Sequence, residues 1–336
     1  MDLHPTSDQL EIIESASDYL AREMPADRMP KQNATAPTGR EWRGLADMGW
    51  FGLGLPEEAG GLGLSIVEEA LVLREFGRYL VPPAALATVL AAHLAAGAKD
   101  NALVEALTTG AKRAGFAIPA GEDPNAIGGP FRLLDADGAD LFVLWTPKAG
   151  LLAEREAFGN TAPLRALDDS IQVLSAERLD ASKVKARDES AAFQHRARLL
   201  TAAMLTGGAE ATRDLSAEYA KVRTQFGKAI GSFQAISHPC AQMAVDAEAS
   251  AAILQYAAVC VRDSSDEAEM YTAAAKMVAG EAAIKAAAAS MQVHGGYGQT
   301  YEYMPHFYLK RAHIYQTLGG GVAAEREPII NAKSTL

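Results

Sequence analysis

Helical periodicity covers both ends of the chain, and a stretch interrupted by glycine and proline separates them, from Gly115 to about Leu179. Apolar residues recur at helical intervals before it, from Thr6 to about Lys112, and again after it, from about Ala191 to Glu325. This order of elements favours a mainly α fold that contains a small β domain. We predict an N-terminal helical domain, a short middle β domain and a C-terminal helical bundle, over residues 1–113, 114–185 and 186–336.

Capping and turn signals place the elements within these domains. Capping-box spacings mark two helix starts, at Thr6 with Gln9 and at Ser65 with Glu68. Asp137-Gly138 lies between two apolar runs and predicts a β-hairpin, with its strands at Phe131–Leu134 and Leu141–Trp145 and a further strand at Ile171–Leu174. Four long periodic segments predict an antiparallel bundle, at Arg196–Tyr219, Phe233–Asp263, Glu267–Val293 and Met304–Leu318.

Composition excludes several classes of protein. The 336 residues carry 31 Lys plus Arg against 42 Asp plus Glu, a net charge of −11, so the clustered positive charge of a nucleic-acid-binding surface is not expected. The two cysteines, Cys240 and Cys260, are too few for a disulfide scaffold or a zinc cluster. The first residues lack the basic and apolar regions of a signal peptide, and no run has the apolar length of a membrane span. We therefore expect a cytoplasmic protein.

Three glycine-containing segments are the candidates for ligand binding. Residues 52–65 are rich in glycine, but helical sequence precedes them, which favours a linker over a dinucleotide-binding loop. Residues 223–234 join two predicted helices, and their arginine and aromatic residue suit either a flat anionic ligand or a plain connection. Residues 292–298 end a predicted helix, where glycines serve as a C-cap or as a phosphate site. Neither of the last two motifs decides between these alternatives alone.

Together and in this order, the motifs resemble the acyl-CoA dehydrogenase family over nearly the whole chain. Trp42, Leu45–Gly52 and Pro56–Gly63 look like the N-terminal helical signature of that family. The Arg-x-x-Phe-Gly-Lys…Gln run, from Arg223 to Gln234, resembles its FAD-contacting loop. Three further runs resemble its C-terminal helices: Gln292–Gly298, Tyr301–Pro305 and Ala312–Gln316. By this resemblance the fold is an α-helical domain, a β-barrel-like middle domain and a four-helix C-terminal domain.

The resemblance implies FAD-dependent oxidation of the Cα–Cβ bond of an acyl-CoA thioester, with a glutamate as the base that removes the α-proton. In most family members that base would fall on Gly319 of this chain, and in a minority on Ala197. Neither residue can take a proton. The Thr-Glu-Pro-x-x-Gly-Ser-Asp motif that meets the flavin ring is not found between Gly115 and Leu179, and two more flavin contacts align with Gly321 and Ala323.

The other half of the family's flavin site is retained. In the family, two segments reach across the dimer to the adenine and pyrophosphate of the neighbour's FAD. The cofactor-binding residues that the resemblance implies here are Arg223, Phe226, Gln234, Gln292, Gly295 and Gly296. A guanidinium and glycine amides suit a pyrophosphate. We therefore expect the chain to give half of an FAD site to a neighbour without completing its own.

This asymmetry resembles the non-catalytic subunit of heteromeric, steroid-type acyl-CoA dehydrogenases, which are α2β2 heterotetramers that act on bulky acyl groups. The catalytic partner would bring the glutamate, and an acceptor such as electron-transfer flavoprotein would take the electrons. Two alternatives stay open: an active homodimer that uses a displaced base, and a purely structural subunit. The candidates for a displaced base are Glu302, expected on a surface loop, and Glu325, expected on a solvated helix turn. We also expect Lys310-Arg311 to be a pair on a helix surface.

Overall fold

The computed structural model describes residues 3–29 and 37–332, so the outer ends of the first and last predicted domains lie outside the described residues. The N-terminal domain is helical, as the periodicity predicts. Both capping boxes form: Thr6 and Ser65 accept hydrogen bonds from the first turns of their helices, and their own N–H groups donate to the side chain of the third helical residue. The helices are α1 (Ser7–Glu23), α2 (Gly39–Asp47), α3 (Ile66–Arg78), α4 (Pro83–Gly97) and α5 (Asn101–Thr108).

Helix α4 joins the N-terminal domain to the sheet. Its sequence is mostly alanine, leucine and valine, and almost all of it is buried. Pro83 stands in the first turn, where its missing N–H costs no helical hydrogen bond. The prolines that end the preceding run therefore also begin this helix. The Ala114 N–H in the first strand donates to Thr88 Oγ1 at 3.0 Å, which fixes the helix against the sheet.

The middle domain is an open seven-stranded sheet with the strand order β6-β7-β2-β1-β3-β4-β9, and only the β1–β3 pair in it is parallel. A sheet between two helical domains is the arrangement that the predicted fold class requires. A separate two-stranded ladder pairs β5 with β8. The strands are β1 (Ala114–Pro119), β2 (Phe131–Leu134), β3 (Leu141–Trp145), β4 (Gly150–Glu154), β5 (Phe158–Gly159), β6 (Ala162–Leu164), β7 (Val173–Ala176), β8 (Arg178–Leu179) and β9 (Val184–Asp188).

The predicted β-hairpin is wrong, although both of its strands exist with the predicted bounds. Strand β1 lies between β2 and β3 and pairs with each of them, so the chain around Asp137-Gly138 crosses over β1 instead of turning back. The third predicted strand is β7, shifted by two residues from Ile171–Leu174 to Val173–Ala176. Strand β9 ends at Asp188 and so runs past the predicted boundary at residue 185.

Long helices form the C-terminal domain, as predicted. Helices α6, α7 and α8 pack on one another, and α9 packs on α8. A small hairpin of β10 (Thr224–Gln225) and β11 (Lys228–Ala229) joins α6 to α7. The helices are α6 (Ala191–Val222), α7 (Gln234–Arg262), α8 (Ala268–His294), α9 (Pro305–Thr317) and α10 (Gly321–Ile330).

Arg311 in α9 ties the three domains together. Its guanidinium donates to Asp168 Oδ2 at 2.8 Å and to Ser170 Oγ at 3.0 Å in the middle domain. It also donates to the carbonyl of Val81 in the N-terminal domain at 3.0 Å. The prediction that Lys310-Arg311 is a pair on a helix surface is therefore wrong for Arg311, which is buried. Lys310 remains partly exposed and pairs with Asp169 at 2.5 Å.

Asp135 is a second buried carboxyl group at this junction. Its Oδ2 accepts a hydrogen bond from the Ala84 N–H at 2.8 Å, in the first turn of α4. Burial raises the pKa of Asp135 to about 6, against the opposing effects of the Ala84 N–H and of Arg311. The native state therefore holds this proton more tightly than the unfolded chain does. The stability that Asp135 contributes is lost as the pH rises from about 4 through about 6.

We expect Asp135→Asn to remove this pH dependence. Asparagine still accepts the Ala84 N–H and carries no charge, so the variant should gain stability over the wild type between pH 4 and 6. The gain should level off above pH 7 at up to about 3 kcal/mol. Urea denaturation at several pH values measures it. Asp137→Asn, an exposed change in the same loop, should leave the profile unchanged, and a constant offset for Asp135→Asn at all pH values would contradict the prediction.

By length and composition alone, helix α7 could cross a membrane, which corrects the expectation that no run has that length. In the fold, α7 packs against α6 and α8, and its C-terminal half contributes Leu254 and Ala257 to the core. Both cysteines are free thiols, and the described residues contain no group of three or more side chains that could hold a metal ion. A cytoplasmic location stays a prediction.

Candidate functional site

The hairpin between α6 and α7 carries two of the predicted cofactor-binding residues, Arg223 and Phe226. Its strands β10 and β11 leave Phe226 and Gly227 as the two residues of the tip. Both have positive φ, +51° and +80°, as a two-residue type I′ turn requires. Glycine adopts this conformation without cost, whereas a phenylalanine held there is strained.

The Phe226 ring is left in solvent. Its side chain is 92% exposed, and its aromatic neighbour is Phe233, edge to face with the ring centroids 6.1 Å apart. The ring therefore does not fill the junction between the two helices. A role of Phe226 in binding stays a prediction.

A cleft of about 480 Å³ lies beside the hairpin and brings four of the six predicted residues together. Arg223 and Phe226 line one side, and Gly295 and Gly296 line the other. The Arg223 guanidinium is exposed and lies 5.8 Å from the centroid of the Tyr297 ring. The cleft thus combines a free cation, aromatic rings and glycine backbone, the surroundings that suit a nucleotide's base and phosphates.

The two glycines follow directly on the end of α8. The Gly295 N–H donates to the carbonyl of Gln292, and Gly295 has φ +62°. A Cβ atom added at Gly295 or Gly296 would have no neighbour within 4 Å. The packing of this chain therefore does not require glycine at either residue. At Gly295 the positive φ favours glycine, and at Gly296 there is no such requirement.

Gln234 and Gln292 do not line the cleft. Gln234 is the first residue of α7 and Gln292 lies in the last turn of α8, and both side chains are exposed. Their role in binding stays a prediction. His294 lines the cleft but is engaged by the fold: its ring stacks on Tyr219 at 4.2 Å, and its Nδ1 lies 2.8 Å from the carbonyl of Ser290.

Both positions at which the resemblance predicts the base are closed. Gly319 has φ +66°, and a Cβ atom there would lie 2.5 Å from Cε2 and Cζ2 of Trp145. The indole N–H of Trp145 in turn donates to Gln194 Oε1 at 2.8 Å. Ala197 is completely buried in α6. A glutamate at either position would have no room without a rearrangement of its neighbours.

Glu325 does not lie on a solvated turn, so that expectation is wrong. Its side chain is 2% exposed, in α10. Lys276 Nζ lies 2.8 Å from Oε1, and Arg198 Nε lies 2.8 Å from Oε2. Both cations are themselves buried. A carboxylate that is enclosed and paired in this way is poorly placed to take a proton from a substrate. Glu302, by contrast, is exposed as expected.

A larger crevice of about 980 Å³ separates the middle domain from the C-terminal bundle next to Gly320. Pro147 and Lys148 line its sheet side, and Arg198 lines its helix side. Four carboxylates also line it, those of Asp266, Glu267, Glu269 and Glu327. Three of these acids stand at the start of α8, where acidic residues are common, so their sequence positions do not indicate a site.

Comparisons with known proteins agree with this arrangement. Residues 6–109 match the acyl-CoA dehydrogenase N-terminal domain, and residues 190–332 match the acyl-CoA dehydrogenase C-terminal domain. The acyl-CoA dehydrogenase IpdE2 of Mycobacterium tuberculosis is 36% identical over 275 residues, which cover 81% of this chain and 80% of IpdE2. The acyl-CoA dehydrogenase FadE34 of the same organism is 37% identical over 294 residues, 83% of this chain, although the match spans only 40% of FadE34.

Solved structures confirm the fold. A chain of the ChsE4-ChsE5 complex from Mycobacterium tuberculosis superposes with a TM-score of 0.81 at 23% identity, over 99% of this chain and all of that one. The sheet between two helical domains is therefore shared over the whole length. The two domain matches and the identity to IpdE2 show the family directly. This chain belongs to the acyl-CoA dehydrogenase family of FAD-dependent oxidoreductases.

Proposed function

We propose that this chain is the non-catalytic subunit of a heteromeric acyl-CoA dehydrogenase and completes the FAD site of a catalytic partner. The observation that carries the proposal is the contrast between its two half-sites. The cleft at the hairpin keeps the guanidinium, the exposed ring and the glycines that would hold the adenine end of FAD. The position of the base, Gly319, is closed by Trp145.

The residues of the cleft have separate tasks in this proposal. Arg223 binds the pyrophosphate, because a guanidinium makes strong charge-assisted hydrogen bonds to phosphate oxygens. Phe226 offers its ring to the adenine, and its turn is already in the conformation that this requires. Gly295 and Gly296 let the pyrophosphate approach the backbone. The flavin, when bound, supplies the hydride acceptor.

The partner in this proposal is a chain of the same fold that keeps the glutamate and the pocket for the flavin ring. The ChsE4-ChsE5 structure, a complex named for two components, is a precedent for such a pair. Together the two chains would dehydrogenate an acyl-CoA thioester with a bulky acyl group and pass the electrons to an acceptor such as electron-transfer flavoprotein.

Arg223→Ala tests the proposal in the complex isolated from native cells through an affinity tag on this chain. Loss of a charge-assisted contact to the pyrophosphate should weaken FAD binding by roughly 10- to 100-fold. Flavin absorbance per complex after dialysis measures this. Lys221→Ala is the matched control, because Lys221 is an exposed cation one half-turn earlier that is paired with Glu218 at 2.6 Å.

Three outcomes separate the proposal from its alternatives. A complex that loses FAD with Arg223→Ala but not with Lys221→Ala supports it. A chain that purifies alone with one FAD per chain and oxidises acyl-CoAs identifies the active homodimer instead. A complex in which FAD binding does not depend on Arg223 is the result expected of a purely structural subunit.

A further inference from the structure

The indole of Trp145 occupies the space that a side chain at position 319 would need. An added Cβ at Gly319 would lie 2.5 Å from Cε2 and Cζ2 and 2.9 Å from Cη2, all in the six-membered ring of Trp145. Real Cβ atoms essentially never approach another heavy atom so closely. Trp145 is buried at the end of β3, so its ring cannot turn into solvent to make room.

The ring is held in this position by two side chains of the C-terminal domain. Its N–H donates to Gln194 Oε1 at 2.8 Å, and Gln194 Nε2 donates to the carbonyl of Thr146 at 3.2 Å. Lys276 Nζ lies over the face of the ring, 4.7 Å from its centroid. A cation in that place is attracted to the indole, most strongly when both are removed from water.

Lys276 also fixes the backbone next to Gly319. Its Nζ donates to the carbonyl of Leu318 at 2.5 Å and to Glu325 Oε1 at 2.8 Å. The same ammonium group therefore holds the indole and the segment that the indole faces. Arg198 pairs with the second carboxylate oxygen of Glu325, Oε2. Lys276, Glu325 and Arg198 therefore form one buried network of charges.

We propose that Trp145 is a plug that fills the position of the missing base and admits only glycine at residue 319. The plug deepens the proposed function, because position 319 is the base position only within that function. One consequence is that Gly319→Glu alone does not give this chain a working base. The contact between Trp145 and Gly319 is independent of any flavin or partner.

A cycle of substitutions tests the plug on the full chain by urea denaturation. Gly319→Ala adds one methyl group at a backbone φ of +66°, against the indole. Gly60→Ala is the matched control, because its φ of +84° and ψ of +18° lie in the same left-handed region as those of Gly319, and its added Cβ would have no neighbour within 4 Å. Both variants carry the strain of a left-handed backbone, and only the first meets Trp145.

Gly319→Ala should lower the urea midpoint clearly more than Gly60→Ala. In a Trp145→Leu background, which lacks the six-membered ring, the two alanine variants should lower it equally. Trp145→Ile serves the same purpose if Trp145→Leu does not fold. Equal losses in the wild-type background, or an excess loss at residue 319 that survives without Trp145, would overturn the plug.

The two proposals fail in different ways. The cycle requires neither FAD nor a partner, so its failure leaves the test of Arg223 untouched. A chain that binds FAD stoichiometrically and acts alone would end the proposed function, while an excess loss at residue 319 that depends on Trp145 would still establish the contact.

Discussion

Glu325→Gln should lower the free energy of unfolding by about 3–5 kcal/mol. The change keeps the size of the side chain and removes its charge, which leaves Lys276 and Arg198 buried beside each other without their shared anion. Burial already lowers the pKa of Lys276, and Glu325 is the group that opposes this effect. Without Glu325, Lys276 should release its proton in the folded state, and the free-energy cost of that release is part of the loss. Urea denaturation at pH 7 and pH 9 measures the loss, which should be smaller at the higher pH.

Glu302→Gln is the matched control for this variant. Glu302 is exposed, so its replacement should change stability by no more than about 0.5 kcal/mol. A loss at Glu325 no larger than at Glu302 would contradict the buried network.

Glu302→Gln also tests catalysis. If flavin bleaching by an acyl-CoA disappears with this variant in a folded complex, this chain contributes a displaced base.

Arg311→Met should cost a similar amount, about 3–5 kcal/mol. The methionine fills much of the same space but leaves Asp168 buried without its cation, and Val81 and Ser170 lose a donor. Because these contacts reach both other domains, we also expect the unfolding transition to become less cooperative. Calorimetry, which compares the van't Hoff and calorimetric enthalpies, would detect that change.

Lys310→Met, one residue earlier, is the control for Arg311. Lys310 is partly exposed and its partner Asp169 is about half exposed, so the loss should stay within about 1 kcal/mol. Equal losses for the two variants would mean that Arg311 contributes no more than a surface pair does. A loss for Arg311→Met with an unchanged enthalpy ratio would restrict its role to local packing.

The helices could be predicted from the sequence because their signals are local. Capping boxes at Thr6 and Ser65 and four long periodic segments place helix ends close to where the structure has them. Strand pairing is not local. Strands β2 and β3 were identified correctly, but nothing in their own residues indicates that β1, which precedes both, inserts between them.

The same distinction explains what could be predicted of the site. The motifs at Arg223 and Gly295 are continuous in sequence, and the structure brings them to one cleft. The burial of Glu325 depends on Lys276 and Arg198, which are far away in the chain. No local sign distinguishes Lys276, because Lys285 also stands among alanines in α8 and is exposed.

The contact between Trp145 and Gly319 has a consequence for the history of such a chain. A substitution that gives residue 319 a side chain while Trp145 is present places that side chain against the indole. A substitution that removes the indole while residue 319 is still glycine loses buried packing and gains no new contact. Each of the two single changes is harmful, and only both together leave room for a new side chain. A chain with this pair therefore cannot gain a side chain at residue 319 by a single substitution without a loss of stability.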